Sequence, residues 1–223
     1  WKRWDHRVLC SVDGKIVNIP VNINTVNALC GTHIMNDAEM QQWLNEVQIK
    51  YDVCHNSEEV AKSRVGEYLY EKLFKHYTFK QWNRYPSELD PLVLSRIPVR
   101  SDFNDRYFDD RYQALPEKGY TKFVESVLAH PNITTIINCD YFEIKDNIAS
   151  GILIFTGQID QYFSNRGLDK LEYRSIDFTV ERYKNMNYYQ INSVVNYSDR
   201  DVPFTRIVEY KHFLTQPSPH TTI

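Results

Sequence analysis

Ser57-Glu58-Glu59-Val60-Ala61-Lys62-Ser63-Arg64-Val65-Gly66-Glu67-Tyr68-Leu69-Tyr70-Glu71-Lys72-Leu73-Phe74-Lys75-His76 is the stretch on which the fold assignment turns. Val60, Val65, Leu69, Leu73 and His76 recur at intervals of three to five residues, the spacing of one face of a helix. Ser57 leads into Glu58 and Glu59, and acidic side chains are favoured at the positive end of a helix. The spacing therefore predicts one long helix over residues 57–76.

Before it, residues 37–48 carry Met40, Trp43, Leu44 and Val47 at helical spacing behind Asn36 or Asp37 as cap. Residues 24–30 read as a short helix opened by Asn24 or Thr25. Residues 8–21 read as a hairpin, because Asp13-Gly14 separates two apolar runs and is a strong turn signal. Downstream, Tyr120, Phe123, Val124 and Val127 share a face of a helix over 119–129, which Pro131 ends. Beyond residue 131 the pattern changes to apolar and β-branched runs at 133–137, 151–155, 173–180, 189–195 and 206–210, each expected to be a strand. Helices followed by a mostly antiparallel sheet define an α+β fold. The expected partition is a hairpin at 1–23 belonging to the sheet, a helical substrate-binding part at 24–130 and an antiparallel sheet part at 131–223. Trp1 in first place and the loop-like Gln216-Pro217-Ser218-Pro219-His220 suggest a piece of a longer protein.

The 223 residues suffice for one large domain or two modest ones. A net charge of −3 argues against a broad nucleic-acid footprint, so any basic feature must be local. No apolar run reaches the roughly 18 residues needed for a membrane helix. Cys10, Cys30, Cys54 and Cys139 form no C-x-x-C pair, which argues against a zinc site and for free thiols in a reducing, cytoplasmic setting. No metal site is expected.

The chemistry points to Tyr77-Thr78-Phe79-Lys80-Gln81-Trp82, Arg96-Ile97-Pro98-Val99-Arg100 and Arg106-Tyr107-Phe108-Asp109-Asp110-Arg111-Tyr112-Gln113. Aromatic faces stack a flat base, and guanidinium forks meet phosphate oxygens in pairs. Arg96 and Arg100 flank Pro98 on a loop, and Arg206 follows Val202-Pro203-Phe204-Thr205 at the entrance of a strand. Two guanidiniums arriving from separate elements neutralise a diphosphate. The same arginines would as readily form surface ion pairs with Asp102, Asp105, Asp109 and Glu209, and Tyr77 and Trp82 would as readily be core aromatics at a helix end. His76 reads as a capping or core histidine. No paired carboxylates, Ser/His/Asp set or H-E-x-x-H stand at a persuasive spacing, and seven glycines form no G-x-G-x-x-G, so the usual dinucleotide loop is missing.

Several ordered runs carry a resemblance: Asn18-Ile19-Pro20-Val21-Asn22-Ile23-Asn24-Thr25, Tyr77 to Trp82, Arg96 to Arg100, Asp105 to Gln113, Thr156-Gly157-Gln158-Ile159-Asp160, Leu171-Glu172-Tyr173-Arg174-Ser175, Val194-Val195-Asn196-Tyr197 and Val202 to Phe213. In this order they resemble the bacterial UDP-galactopyranose mutase family, over nearly the whole chain but only the middle of the longer family members. Asn83 stands where the family usually has glycine, Gln158 where it usually has proline, and the loop at 164–168 is one residue longer.

The resemblance implies a flavin-dependent isomerase that interconverts UDP-galactopyranose and UDP-galactofuranose through an adduct between flavin N5 and galactose. Its cofactor would be reduced FAD, which this stretch alone would not retain. Arg96 and Arg206 would clamp the diphosphate, with Arg96 on a mobile loop near 95–106. Tyr107 would donate to a phosphate oxygen. Tyr77 would stack the uracil with Phe74 and Thr78 nearby, Trp82 would pack on ribose or sugar, and Asn196 would bond the uridine or galactose edge. Asn22 and Arg174 would face the sugar and the flavin. A homodimer is compatible with the resemblance; nucleic acid and membrane are not expected partners. A sugar-nucleotide-binding module without catalysis, or an interaction domain that kept only the shape, are the competing classes.

Overall fold

The computed structural model describes residues 1–213 and 218–223. Gln216 and Pro217 of the expected C-terminal loop lie outside the described residues. Two compact units form: Trp1–Glu117 with Phe178–Ile223, and Lys118–Asp177.

The first unit opens with β1 (Lys2–Arg3), β2 (Val8–Val12) and β3 (Lys15–Ile19). β2 and β3 form the expected hairpin, antiparallel from Val8↔Ile19 to Val12↔Lys15. Asp13 and Gly14 both take positive φ, 49° and 71°, which is the backbone a two-residue turn needs to match strand twist. Alternation sends Val8, Cys10, Val12, Val17 and Ile19 to one buried face.

That face is covered by helices. α1 (Ile23–Cys30) starts one residue before its expected span and is capped by Asn22, whose Oδ1 accepts from Thr25 N at 3.0 Å; the cap is thus neither Asn24 nor Thr25. α2 (Asp37–Val47) is capped by Asn36, one of the two expected caps. α3 (Ser57–Leu69) is capped by Asn56 and breaks at Gly66, where φ is 77° and ψ 175°. A Cβ at Gly66 would lie 2.6 Å from the Val47 carbonyl oxygen, so the end of α2 occupies the space a side chain would need. After Leu69 the chain makes a π-helical turn, Tyr70–Lys75, and continues as α4 (His76–Trp82). The single helix expected over 57–76 is therefore three segments. α4 ends at Asn83 in the left-handed region, φ 52°, a conformation that glycine and asparagine adopt most readily. The core joins the sheet face to Val26, Leu29, Met40, Leu44, Val65, Leu69, Tyr70, Leu73 and Phe74.

After the short α5 (Leu92–Ser95) the chain returns to the sheet side. Val99 bridges Val21, Arg100 N donates to Val21 O at 2.9 Å, and Ile23 N donates to Asp102 O at 3.1 Å. β4 (Ala114–Leu115) pairs with β1.

The second unit holds α6 (Tyr120–Leu128), α7 (Tyr141–Ile144) and α8 (Ile159–Tyr162) and no strand. The expected strands at 133–137, 151–155 and 173–180 do not form. A strand satisfies its backbone only through a neighbour, and no described segment pairs with these runs. α6 occupies its expected place, yet Tyr120, Phe123, Val124 and Val127 are all exposed.

Returning to the first unit, β5 (Arg182–Lys184) pairs with β8 (His220–Thr222). The run expected as a strand at 189–195 contributes only its end, to β6 (Val194–Tyr197), and the run at 206–210 forms β7 (Arg206–Val208). The main sheet has the order β3-β2-β6-β7. Two of its pairings are antiparallel, while β6 runs parallel to β2, Leu9 opposite Val195. The fold is α+β. Directly after β7, the fully buried Glu209 accepts from Tyr189 N at 2.9 Å, Gln190 N at 3.0 Å, His212 Nε2 at 3.1 Å and the Thr221 hydroxyl. This carboxylate ties the run before β6 and strand β8 to the end of β7.

Candidate functional site

α4 places Tyr77, Lys80 and Gln81 at i, i+3 and i+4, hence on one face. That face meets the β6–β7 end of the sheet, where Asn196 and Arg206 stand directly opposite in register. Arg206 Nη2 donates to the Tyr77 hydroxyl at 2.5 Å, and its guanidinium lies 5.9 Å from the centre of the Tyr77 ring. Gln81 Nε2 donates to the same oxygen at 3.3 Å, and the Tyr77 hydroxyl donates to Asn196 Oδ1 at 3.2 Å. One hydroxyl thus uses its proton and both lone pairs to join a helix to two strands. Burial pushes the Tyr77 phenol above its ordinary pKa, and the Arg206 guanidinium opposes the rise.

Arg206 itself is exposed, and its bond to Tyr77 is the only one its guanidinium makes among the described residues. Trp82 ends α4 and is 37% exposed as a residue. Arg206 thus presents an exposed cation beside the Tyr77 ring, on a strand bonded to α4.

Lys80 holds the backbone that carries Arg206. Its ammonium donates to the carbonyls of Tyr197 at 2.6 Å, Asp199 at 3.0 Å, Val202 at 3.1 Å and Phe204 at 3.0 Å. Burial lowers its pKa, while Asp199 and Asp201 act in the opposite sense. Below it, Cys10 Sγ lies 3.0 Å from Ser198 Oγ, which donates to Leu73 O at 3.1 Å; burial pushes this thiol up to about 11, so it is an inert core group.

The other sequence-selected residues are distributed differently. Phe74 and Thr78 are buried on the inner side of the helix, and Phe74 belongs to the core. Tyr107 packs edge-on against His6 and Phe108, with ring centres 5.9 and 4.9 Å away. Asn22 is fully buried: besides capping α1 it donates to Asp105 Oδ1 at 2.7 Å and to Asn104 O at 3.3 Å, so both its amide oxygen and its amide nitrogen are engaged within the protein. Arg96 is exposed at the end of α5, where its backbone N–H donates to Leu94 O; among the described residues no hydrogen bond or ion pair engages its guanidinium or joins it to Arg206. Of the ion pairs foreseen for the arginines, Arg100 pairs with Asp109 at 2.6 Å, whereas neither Arg96 nor Arg206 takes a carboxylate partner among the described residues. Arg174 is carried by the other unit, where it is exposed.

A cleft of about 420 Å³ is lined by Trp4, His6, Phe108, Asp110, Tyr112 and Phe213 among others, and Tyr107 packs against two of these, His6 and Phe108. Such walls fit a flat ring. The phosphate half of a dinucleotide finds no cradle, because the glycines of the described residues build no strand–glycine loop–helix turn. Among the described residues no three His, Cys, Asp or Glu side chains gather as a metal site, and no helix is long and apolar enough to cross a membrane.

Two participants escaped sequence reasoning. Lys80 and Gln81 stand in the quoted aromatic-basic run, but Lys80 finds its partners 117–124 residues away, and no local pattern announces that.

Comparison with known proteins agrees with the resemblance. The family model GLF, UDP-galactopyranose mutase, matches residues 72–223. A protein of Klebsiella pneumoniae named probable UDP-galactopyranose mutase is 33% identical over 209 residues, covering 93% of this chain and 53% of the relative. The dTDP-fucopyranose mutase of Escherichia coli is 32% identical over 212 residues, covering 93% of this chain and 56% of the relative. The UDP-galactopyranose mutase of Mycoplasma pneumoniae is 32% identical over 160 residues, covering 67% and 39%. The chain spans about half the length of the first two. With its family model matched over residues 72–223 and relatives aligned along 93% of its length, the chain belongs to the UDP-galactopyranose mutase family.

Proposed function

We propose that the full-length protein interconverts UDP-galactopyranose and UDP-galactofuranose with reduced FAD, and that this chain carries the UDP-sugar half of the site. The observation that carries the reading is the exposed Arg206 guanidinium, braced by Tyr77 at 2.5 Å where α4 meets β7. In this reading Arg206 takes one side of the diphosphate, and Arg96 closes on the other. The residues from Val99 onward are tied to the start of α1, so closure falls to the short stretch around Arg96. The Tyr77 ring, fixed through its hydroxyl, offers a face to the uracil, and the partly exposed Trp82 serves the ribose. Tyr107 donates to a phosphate oxygen. Paired guanidiniums stabilise the charge that grows on UDP as the glycosidic bond breaks, which is where the protein assists the reaction. Bound reduced flavin would supply the nucleophile. Its flat ring suits the aromatic cleft beside Tyr107, and its dinucleotide is assigned to the other half of the full-length protein. The helical region 24–130 is the proposed substrate-binding part; within 131–223 the sheet strands are β5 to β8, all after residue 181. Arg174 is proposed to face the flavin.

The test is titration of UDP against the chain and the full-length protein, followed by tryptophan fluorescence and calorimetry. UDP binding is expected in both, weaker in the chain, and Arg206→Ala should weaken it roughly tenfold or more. A full-length protein that ignores UDP overturns the reading. Similarity to a dTDP-fucopyranose mutase favours a second reading, in which the nucleotide is thymidine diphosphate. Preference for dTDP over UDP in the same titration selects it, and turnover of the sugar nucleotide separates both from a non-catalytic binding module.

A further inference from the structure

Four main-chain carbonyls within eight residues, those of Tyr197, Asp199, Val202 and Phe204, converge on one side-chain nitrogen at 2.6–3.1 Å. Converging carbonyl dipoles repel one another, and rings of them persist where a cation replaces their lost hydration. Here the cation is Lys80, an ammonium with three donors, part-buried, with no carboxylate in ion-pair contact among the described residues. The carbonyls span the whole connection from the last residue of β6 to the second residue before Arg206. The turn is further closed by Tyr197 N donating to Thr205 O at 2.9 Å and by the Tyr197 and Phe204 rings, whose centres lie 4.8 Å apart. Lys80 is one helical turn beyond Tyr77, the residue that holds the Arg206 side chain. One face of α4 therefore fixes Arg206 twice, through its guanidinium and through the turn that delivers it.

We propose that Lys80 is a positioning residue for diphosphate recognition: its ammonium, held in the carbonyl ring, sets the β6–β7 turn so that Arg206 is presented to the phosphates. The proposal rests on the reading of Arg206 given above and extends it. It demands that Lys80 matter for the diphosphate and not for the base, because Tyr77 and Trp82 do not depend on the turn for their own backbone.

The experiment uses the full-length protein and compares UDP with uridine by calorimetry. Lys80→Met keeps an unbranched apolar stem and removes the ammonium, both its charge and its three donors. It is expected to weaken UDP binding roughly ten- to a hundredfold while leaving uridine binding within about twofold. Arg206→Ala is expected to show the same split, and the double variant to bind UDP no worse than Arg206→Ala alone, because both act on one interaction. Parent-like UDP affinity in Lys80→Met overturns the proposal, as does equal loss of uridine and UDP, or full additivity in the double variant. Should Lys80→Met fail to fold, Lys80→Arg decides: a planar fork keeps the charge but cannot meet four converging carbonyls, so the same loss is expected, and parent-like UDP binding refutes. If Arg206→Ala leaves UDP affinity untouched, the functional reading falls and this proposal with it; if only Arg206→Ala is affected, the reading stands and the role of Lys80 is refuted.

Discussion

Tyr77 shows how much one hydroxyl can decide. Its oxygen joins Arg206, Gln81 and Asn196, so Tyr77→Phe removes three bonds while preserving the ring. Base stacking should survive and diphosphate affinity fall by roughly tenfold, read as a drop in UDP affinity with uridine affinity unchanged. Glu209 offers a stability counterpart. Burial alone would raise its pKa, but the Thr221 hydroxyl and the amides of Tyr189 and Gln190, with His212, outweigh this and hold the carboxyl below its usual range. A depressed folded pKa means that stabilisation is complete above the unfolded value, about 4.3, and is lost as pH falls through the folded value. Glu209→Gln is expected to cost about 2–4 kcal/mol near pH 7 in urea denaturation, with the gap to the parent closing below about pH 4. A penalty independent of pH would refute the carboxylate's role. At this scale the sequence was partly legible. The aromatic-basic run drew attention to Tyr77, whose hydroxyl joins α4 to β6 and β7, whereas the structural bonds of Asn22 were not read, because its acceptors lie at residues 104–105, far along the chain.

Secondary-structure elements were legible where their causes are local. Asp13-Gly14 dictated its turn, and Asn36, one of the two expected caps, the start of α2, within four residues each. The break in α3 was hidden because its cause is the Val47 carbonyl from another helix. Gly66→Ala should therefore cost at least about 2 kcal/mol, from a φ of 77° that side chains resist and from the 2.6 Å approach. Gly119→Ala is the control, with similar φ, 84°, and nothing within 4 Å; thermal denaturation should show the smaller loss there. The runs at 133–137 and 151–155 have strand composition without strand structure, since composition does not supply the neighbouring strand that hydrogen bonding requires.

For the whole molecule, the α+β class was readable from the order of patterns, while the parallel pairing of β2 with β6 was not, being a choice among strands far apart in sequence. The 223 residues lack a glycine cradle for dinucleotide phosphates, so this chain purified alone is expected to be colourless. Stoichiometric flavin absorbance in that preparation would contradict the assignment of the dinucleotide to the other half.

That parallel pairing also constrains biogenesis. Strand β2 emerges from the ribosome with β3 on one side, but its other edge is completed by Val195 opposite Leu9, 186 residues later. At ordinary elongation speed the wait is about 10–40 s. Throughout that interval the nascent hairpin displays an unpaired edge able to template association with a neighbouring polysome product. Yield of native protein should accordingly depend on how crowded translation is, and slower expression at lower temperature should favour intramolecular closure over precipitation.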